Sequence, residues 1–257
     1  MRNGVIAGYY IRNFLNRLNP NTEIYKYIPV EYICEMKRSR HMRFDLVNKW
    51  EDVYENYFLK QNFINEGGSP VSTENISNAI YGQCWTMQKE SDAMWRIYSS
   101  EKNAVKVKTT AGRLMDVLYT DDSCMASTFI GRVDYLPQLE IEAEYQNLEH
   151  HKISISSFGG SQGINNFIKE SLITKREEFA HEREVRIIKI EETNGQTPQY
   201  IEAPFDPDLF FDEFIIDPRV SQSEEEDIRN RLISYGVDQG KIGKSHLYDL
   251  NTYTLIV

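Results

Sequence analysis

The chain has 257 residues, 29 Lys and Arg against 39 Asp and Glu, and a formal charge of −10. That balance disfavours tight nonspecific binding to nucleic acid, which needs a local excess of basic side chains, while leaving room for a basic cleft on an acidic body. With 40% hydrophobic and 26% charged residues the composition is that of a soluble globular protein able to bury a substantial core.

In chain order, residues 5–18 carry apolar side chains near helical spacing and are expected to form an N-terminal helix, within 1–20, ended by Asn19-Pro20-Asn21. EIYKYIPV, from Glu23, is aromatic and β-branched and reads as a strand. Residues 43–66, studded with Trp50, Tyr54, Tyr57 and Phe58, read as a helix closed by Gly67-Gly68-Ser69-Pro70. A weak helix near 73–80 leads into the strand IYGQCWTM. Ser91 or Asp92 then caps a helix through DAMWRIYS. AVKVKTT is an alternating strand, TAGRLMDVLY an amphipathic helix, and TFIGRVDYL a strand stopped by Pro137. EIEAEYQNLEHHKI is acidic and ambiguous. SSFGGSQG is a loop, followed by a helix from Ile164 to Phe179. EVRIIKIEE, QYIEAPF and DEFIIDP are strands, SEEEDIRNRLISYG is a helix, and HLYDLNTYTLIV ends the chain as a strand. Helices and strands mix without a βαβ rhythm, which implies one α+β domain over 1–257 with its core from about 22.

Three separated cysteines, Cys34, Cys84 and Cys124, argue for a reducing compartment rather than a disulfide framework. The N-terminus lacks signal-peptide features and no apolar run approaches the ~20 residues that cross a bilayer, so a cytoplasmic protein without a membrane partner is expected. No P-loop, GxGxxG, HExxH or GxSxG occurs. Gly159-Gly160-Ser161-Gln162-Gly163 has no lysine behind it, and His150-His151 has no second ligand pair, so no metal is expected.

Three stretches carry candidate chemistry. Tyr25-Lys26-Tyr27 lies on the first strand. Ser91, Trp95 and Tyr98 fall at i, i+4 and i+7 of one helix face, where core packing is the plain alternative for the aromatics. In FAHEREVRIIKI, from Phe179 to Ile190, alternation puts Glu182, Glu184 and Arg186 on one face of a strand and Val185 and Ile187 on the other. A salt-bridged surface strand is the alternative there.

Taken in order, IYKY at 24–27, the block CWT…DAMWRIYS at 84–99 and KREEFAHEREVRII at 175–188 resemble the domain-of-unknown-function family number 2971, whose core is ADP-ribosyltransferase-like. Phe179 stands where that family is expected to have an aromatic. The resemblance implies a split-sheet core and NAD used as a substrate. It assigns Glu184 to the ribose and Glu182 to the acceptor, as the catalytic pair. It places Tyr25, Lys26 and Tyr27, with Ser91, Trp95 and Tyr98, at the cofactor, and has Arg186 steadying the carboxylates. Lys26 stands where such transferases carry His or Arg, and the Ser-Thr-Ser triplet of one branch is absent. The function implied is a toxin-like effector of a toxin–antitoxin or anti-phage system. It would modify RNA, DNA or protein, RNA favoured, and be restrained by a neutralising antitoxin and a chaperone. An NAD hydrolase, or a non-catalytic scaffold binding through the aromatic 43–66 helix, are the alternatives. If the carboxylates serve function alone, removing either charge should change stability by less than about 1 kcal/mol.

Overall fold

The computed structural model describes residues 10–50, 52–65, 67–120, 124, 127–146, 168–191 and 197–250. The residues expected to form the glycine loop, His150-His151 and the last strand from residue 251 lie outside them.

The chain folds around a ten-stranded mixed sheet. Its spine runs β1 (Phe14–Leu15), β8 (Thr128–Arg132), β11 (Glu184–Ile190), β6 (Ile80–Thr86), β2 (Glu23–Pro29), β7 (Ala104–Thr110), β13 (Glu213–Ile216), β14 (Ile242–Lys244). β3 (His41–Leu46) branches from β6 and pairs with β12 (Tyr200–Pro204). Five helices matter below: α1 (Val30–Ser39), α2 (Asp92–Tyr98), α3 (Ala111–Leu118), α4 (Gln138–Gln146) and α5 (Gln222–Ser234). This is the mixed, split-sheet α+β architecture expected from the sequence.

The split lies between β2 and β6. β2 pairs with β7 over seven positions, and β11 with β6 over seven, but β2 meets β6 at one rung only, Tyr25 opposite Thr86. Beyond that rung β6 turns its edge to β3, so the two half-sheets diverge and leave a crevice. The halves are held by the core beneath them: Ile24, Ile28, Val105, Val107, Trp85, Val185 and Ile187 belong to one buried cluster. Gly82 lets β11 lie close to β6, since a Cβ there would come within 2.7 Å of the Ile187 carbonyl oxygen.

Three expectations need correction. The N-terminal helix does not continue through 5–18: residues 10–12 are helical, but Phe14–Leu15 form β1, paired in parallel with β8. The 43–66 segment is not a helix. Met42, Phe44 and Leu46 alternate inward along β3, and after a 3-10 turn at Val47–Lys49 the chain turns again at Asp52, whose carboxylate accepts the Tyr54 amide. Such local side-chain bonds compete with the helix ladder. Phe58 is therefore buried, and Trp50, Tyr54 and Tyr57 are half-buried rather than lined up on an exposed face. The helix expected to Phe179 stops at residue 172; Thr174–Arg176 form β10 against β9 (Asp134–Leu136), followed by a 3-10 turn over Glu177–Glu182. The ambiguous acidic stretch contributes α4. Among the described residues no helix is long and apolar enough to cross a membrane.

Candidate active site

A pocket of about 160 Å³ opens at the single β2–β6 rung. Tyr25, Tyr27, Cys84, Thr86, Tyr98, Glu182 and Glu184 line it, with Lys26 and Trp85 at its edge. Through those last two residues it adjoins a larger pocket of about 490 Å³ in the crevice, walled also by Tyr32, Arg43, Gln83 and Tyr200.

β11 begins at Glu184, not at Glu182. Glu182 ends the 3-10 turn, and Arg183 takes a left-handed conformation (φ 45°) between them. Two bonds to the neighbouring strand end fix this junction: the Met87 amide donates to the Arg183 carbonyl, and the Thr86 hydroxyl donates to the Glu182 carbonyl. The strand alternation read from the sequence thus extends one step too far, yet both carboxylates reach the same pocket.

Glu184 and Arg186 share a face of β11. Arg186 Nη2 donates to Glu184 Oε2 at 2.9 Å and to Glu55 Oε1 at 2.6 Å, Nη1 donates to the Leu172 carbonyl at 2.9 Å, and the guanidinium lies 4.4 Å from the Trp50 ring. Arg186 is fully buried, so it lies behind the pocket and acts through Glu184. Lys175, on β10, reaches Glu182 Oε2 at 2.6 Å, Glu55 Oε1 at 3.2 Å and Glu184 Oε2 at 3.5 Å. The Tyr98 hydroxyl donates to Glu182 Oε1 at 3.0 Å, and the Glu184 amide donates to the Tyr135 hydroxyl at 2.8 Å.

Three buried carboxylates, Glu55, Glu182 and Glu184, thus face two buried cations, Lys175 and Arg186, leaving one net negative charge. Desolvation costs each ion several kcal/mol, which only such close pairing offsets. Burial opposes ionisation of Glu184, but Arg186 and Lys175 outweigh it and hold the carboxyl below its usual range. Burial likewise opposes the charge of Lys175, and the carboxylates around it, Glu184 foremost, raise it instead. Burial first, then Glu182, pushes the Tyr98 phenol far up, so it stays a hydrogen-bond donor at neutral pH.

The structure separates the remaining candidates. Lys26 points to the opposite face of β2 from Tyr25 and Tyr27; its ammonium lies 3.5 Å from Gln83 Oε1 and 5.7 Å from the Trp85 ring, where the two pockets meet. No carboxylate stands within ion-pair distance of it among the described residues, and burial lowers its pKa. Tyr27 runs near-parallel to Tyr98, centroids 6.3 Å apart. Tyr25 lines the pocket wall with its hydroxyl donating to Glu23. Ser91 and Trp95 do not line the pocket. Ser91 caps α2, accepting the Met94 amide, and Trp95 is fully buried against Tyr27, its indole donating to Glu90. Lys175 opened the motif block at 175–188 but was given no role and was placed in a helix that does not extend that far, and Glu55 was placed in a helix that does not form. Among the described residues no group of three or more His, Cys, Asp or Glu is placed to hold a metal ion.

A split mixed sheet carrying a buried, net-negative carboxylate cluster at the split defines a pocket suited to a developing positive charge. Residues 94–187 match the model of a family described as protein of unknown function (DUF2971), the family indicated by the sequence motifs. The matched stretch contains Tyr98, Lys175, Glu182, Glu184 and Arg186; IYKY lies outside it. No curated protein matches the sequence. Among solved structures, Thermus sp. 2.9 DarT in complex with NAD+ aligns at 10% identity over 89% of this chain and 97% of that one, with a TM-score of 0.38. Thermus sp. 2.9 DarT in complex with ADP-ribosylated ssDNA aligns at 10% identity over 85% and 90%, with a TM-score of 0.35.

Proposed function

We propose that this protein cleaves the nicotinamide–ribose bond of NAD and transfers the ADP-ribosyl group to an acceptor. The observation that carries this reading is that Glu182 and Glu184 line one pocket, backed by an ion-pair cluster of three carboxylates and two cations with one surplus negative charge.

The chemistry follows from that charge. As the glycosidic bond breaks, its electrons go to the pyridinium nitrogen, nicotinamide leaves neutral, and positive charge develops on the sugar. Glu184 stabilises that charge more in the transition state than in the bound substrate. Both cations meet Glu184 on Oε2, so Oε1 keeps acceptor capacity for a ribose hydroxyl. Glu182, held by Tyr98 and Lys175, accepts the proton the nucleophile loses on bonding to the sugar carbon. The near-parallel rings of Tyr27 and Tyr98 give a flat leaving group an aromatic wall.

Size supports a dinucleotide. A 160 Å³ pocket lies below the ~300–1,000 Å³ of small-molecule sites and suits the reacting end alone. The adjoining 490 Å³ pocket suits the nucleotide remainder, with Lys26 between them for the diphosphate. For the acceptor we favour a short single strand of nucleic acid, RNA before DNA. A chain of charge −10 meets few phosphates, and Tyr98, 44% exposed, offers a ring for a base. A transferase of this kind acting as a toxin in a defence setting requires a neutralising partner, and we include one in the proposal. Incubation with NAD labelled in the adenylate, followed by separation of RNA, DNA and protein, tests it: label in RNA is expected. Free ADP-ribose alone would identify a hydrolase, and intact NAD would reject the reading.

A further inference from the structure

We propose that Lys175 is a positioning residue of this reaction, tying Glu182 and Glu184 to each other and to Glu55 from a strand that carries neither catalytic carboxylate. Its kinetic consequences rest on the transferase reading above; its geometry stands apart from it.

Among the described residues Lys175 is the cation that reaches both members of the pair, at 2.6 Å from Glu182 and 3.5 Å from Glu184. Arg186 pairs with Glu184 and Glu55 alone. Three carboxylates surround this ammonium: it donates to Glu182 and Glu184 and pairs with Glu55 at 3.2 Å. Only 7% of Lys175 is exposed, and the Phe179 ring lies 4.6 Å from its nitrogen. A lysine so enclosed needs charge partners, but one would serve; three, drawn from separate segments, make it a brace. β10 supplies it because the helix ends at residue 172 and Thr174–Arg176 pair with β9.

The brace also governs protonation. Arg186 faces Glu184 from its own strand, Lys175 from β10, Glu182 from the 3-10 turn, and Glu55 from the turn after Asp52. The Cys84 thiol on β6 lines the same pocket as Glu184, with the Tyr98 hydroxyl and Lys26 around it and the Tyr135 hydroxyl on the Glu184 amide. Without Lys175, three buried carboxylates face one guanidinium. Burial, which opposes ionisation of Glu184, then meets one cation fewer, and the charge on Glu184 is lost at higher pH.

The test compares Lys175→Met and Lys175→Arg with the wild type in two readouts: the pH profile of NAD cleavage, and the carboxyl titration of 13C-labelled Glu182 and Glu184 followed by NMR. In Lys175→Met the acid limb and the Glu184 titration should move up by about one pH unit or more, the size of losing one close opposite charge. Lys175→Arg should restore most of that shift. If Lys175→Met does not fold, Lys175→Met with Glu55→Gln keeps the surplus at one negative charge, and the acid limb should still lie higher than in wild type. Unchanged titrations and an unchanged acid limb in a folded Lys175→Met, or in that double variant, would overturn the proposal. Should the wild type cleave no NAD, the transferase reading fails, while the NMR titrations still decide the role of Lys175.

Discussion

Replacing Glu184 with Gln preserves shape and most hydrogen bonding and removes one charge. The cluster then falls from one surplus negative charge to none, since two carboxylates would face two cations. A unit charge ~4 Å away at an effective dielectric of ~20 interacts by about 4 kcal/mol. A transition state bearing most of that charge therefore loses about 3 kcal/mol, or roughly 10²-fold in turnover at ~1.4 kcal/mol per tenfold. NAD affinity should fall far less. Stability is a separate matter. Glu184 is 5% exposed and pairs with a fully buried Arg186, which argues for a larger change than the one expected from sequence. Breaking an isolated buried pair costs ~3–5 kcal/mol, but Glu55 stays on Arg186 here and the remaining cluster is neutral, so about 1–3 kcal/mol is expected. Single-turnover nicotinamide release, with NAD binding by calorimetry and unfolding in denaturant, separates the three quantities. Turnover within twofold of wild type in a folded Glu184→Gln would refute the electrostatic role.

Other outcomes follow from the same geometry. Glu182→Gln should slow transfer to the acceptor more than release of nicotinamide, read by comparing labelled product with free nicotinamide; a dead Glu182→Gln beside a fully active Glu184→Gln would reverse the assigned roles. Lys26→Met should weaken binding of NAD and of ADP about tenfold or more, the loss of one charged hydrogen bond, while leaving nicotinamide binding unchanged. Ser91→Ala should cost about 0.5–2 kcal/mol in unfolding measurements through the lost α2 cap and leave turnover unchanged below the melting range; a selective loss of NAD affinity would return Ser91 to the site.

The sequence was informative where pattern and packing agree. The alternation of EIYKYIP, AVKVKTT and EVRIIKI marks β2, β7 and β11, all central to the sheet and buried enough for side-chain period to decide their faces. Glu182, Glu184, Arg186 and Tyr98 stood out because charges beside a buried strand and a Tyr one turn beyond a Trp are locally visible. Lys26 could be placed on a strand but not on a face of the cleft, since the divergence of β2 from β6 is a tertiary feature that no local pattern carries. Lys175 and Glu55 depend on where a helix stops and where a turn replaces one. Thr174, whose hydroxyl donates to the Glu170 carbonyl, and Asp52 decide those points through single side-chain bonds. Trp95 shows the opposite error: its helical spacing with Tyr98 suggested a shared ligand face, but the indole is core, and of the two Tyr98, at the helix end, is the one that reaches the pocket.

The most direct test of the central claim is the fate of the nicotinamide–ribose bond. Purified wild-type protein and Glu184→Gln are incubated with NAD carrying label in nicotinamide and, separately, in the adenylate. The wild type is expected to release labelled nicotinamide and pass the adenylate label to an acceptor, and the variant to release nicotinamide roughly 10²-fold more slowly. Equal release by both proteins, or none by the wild type with every acceptor class supplied, would contradict the central claim.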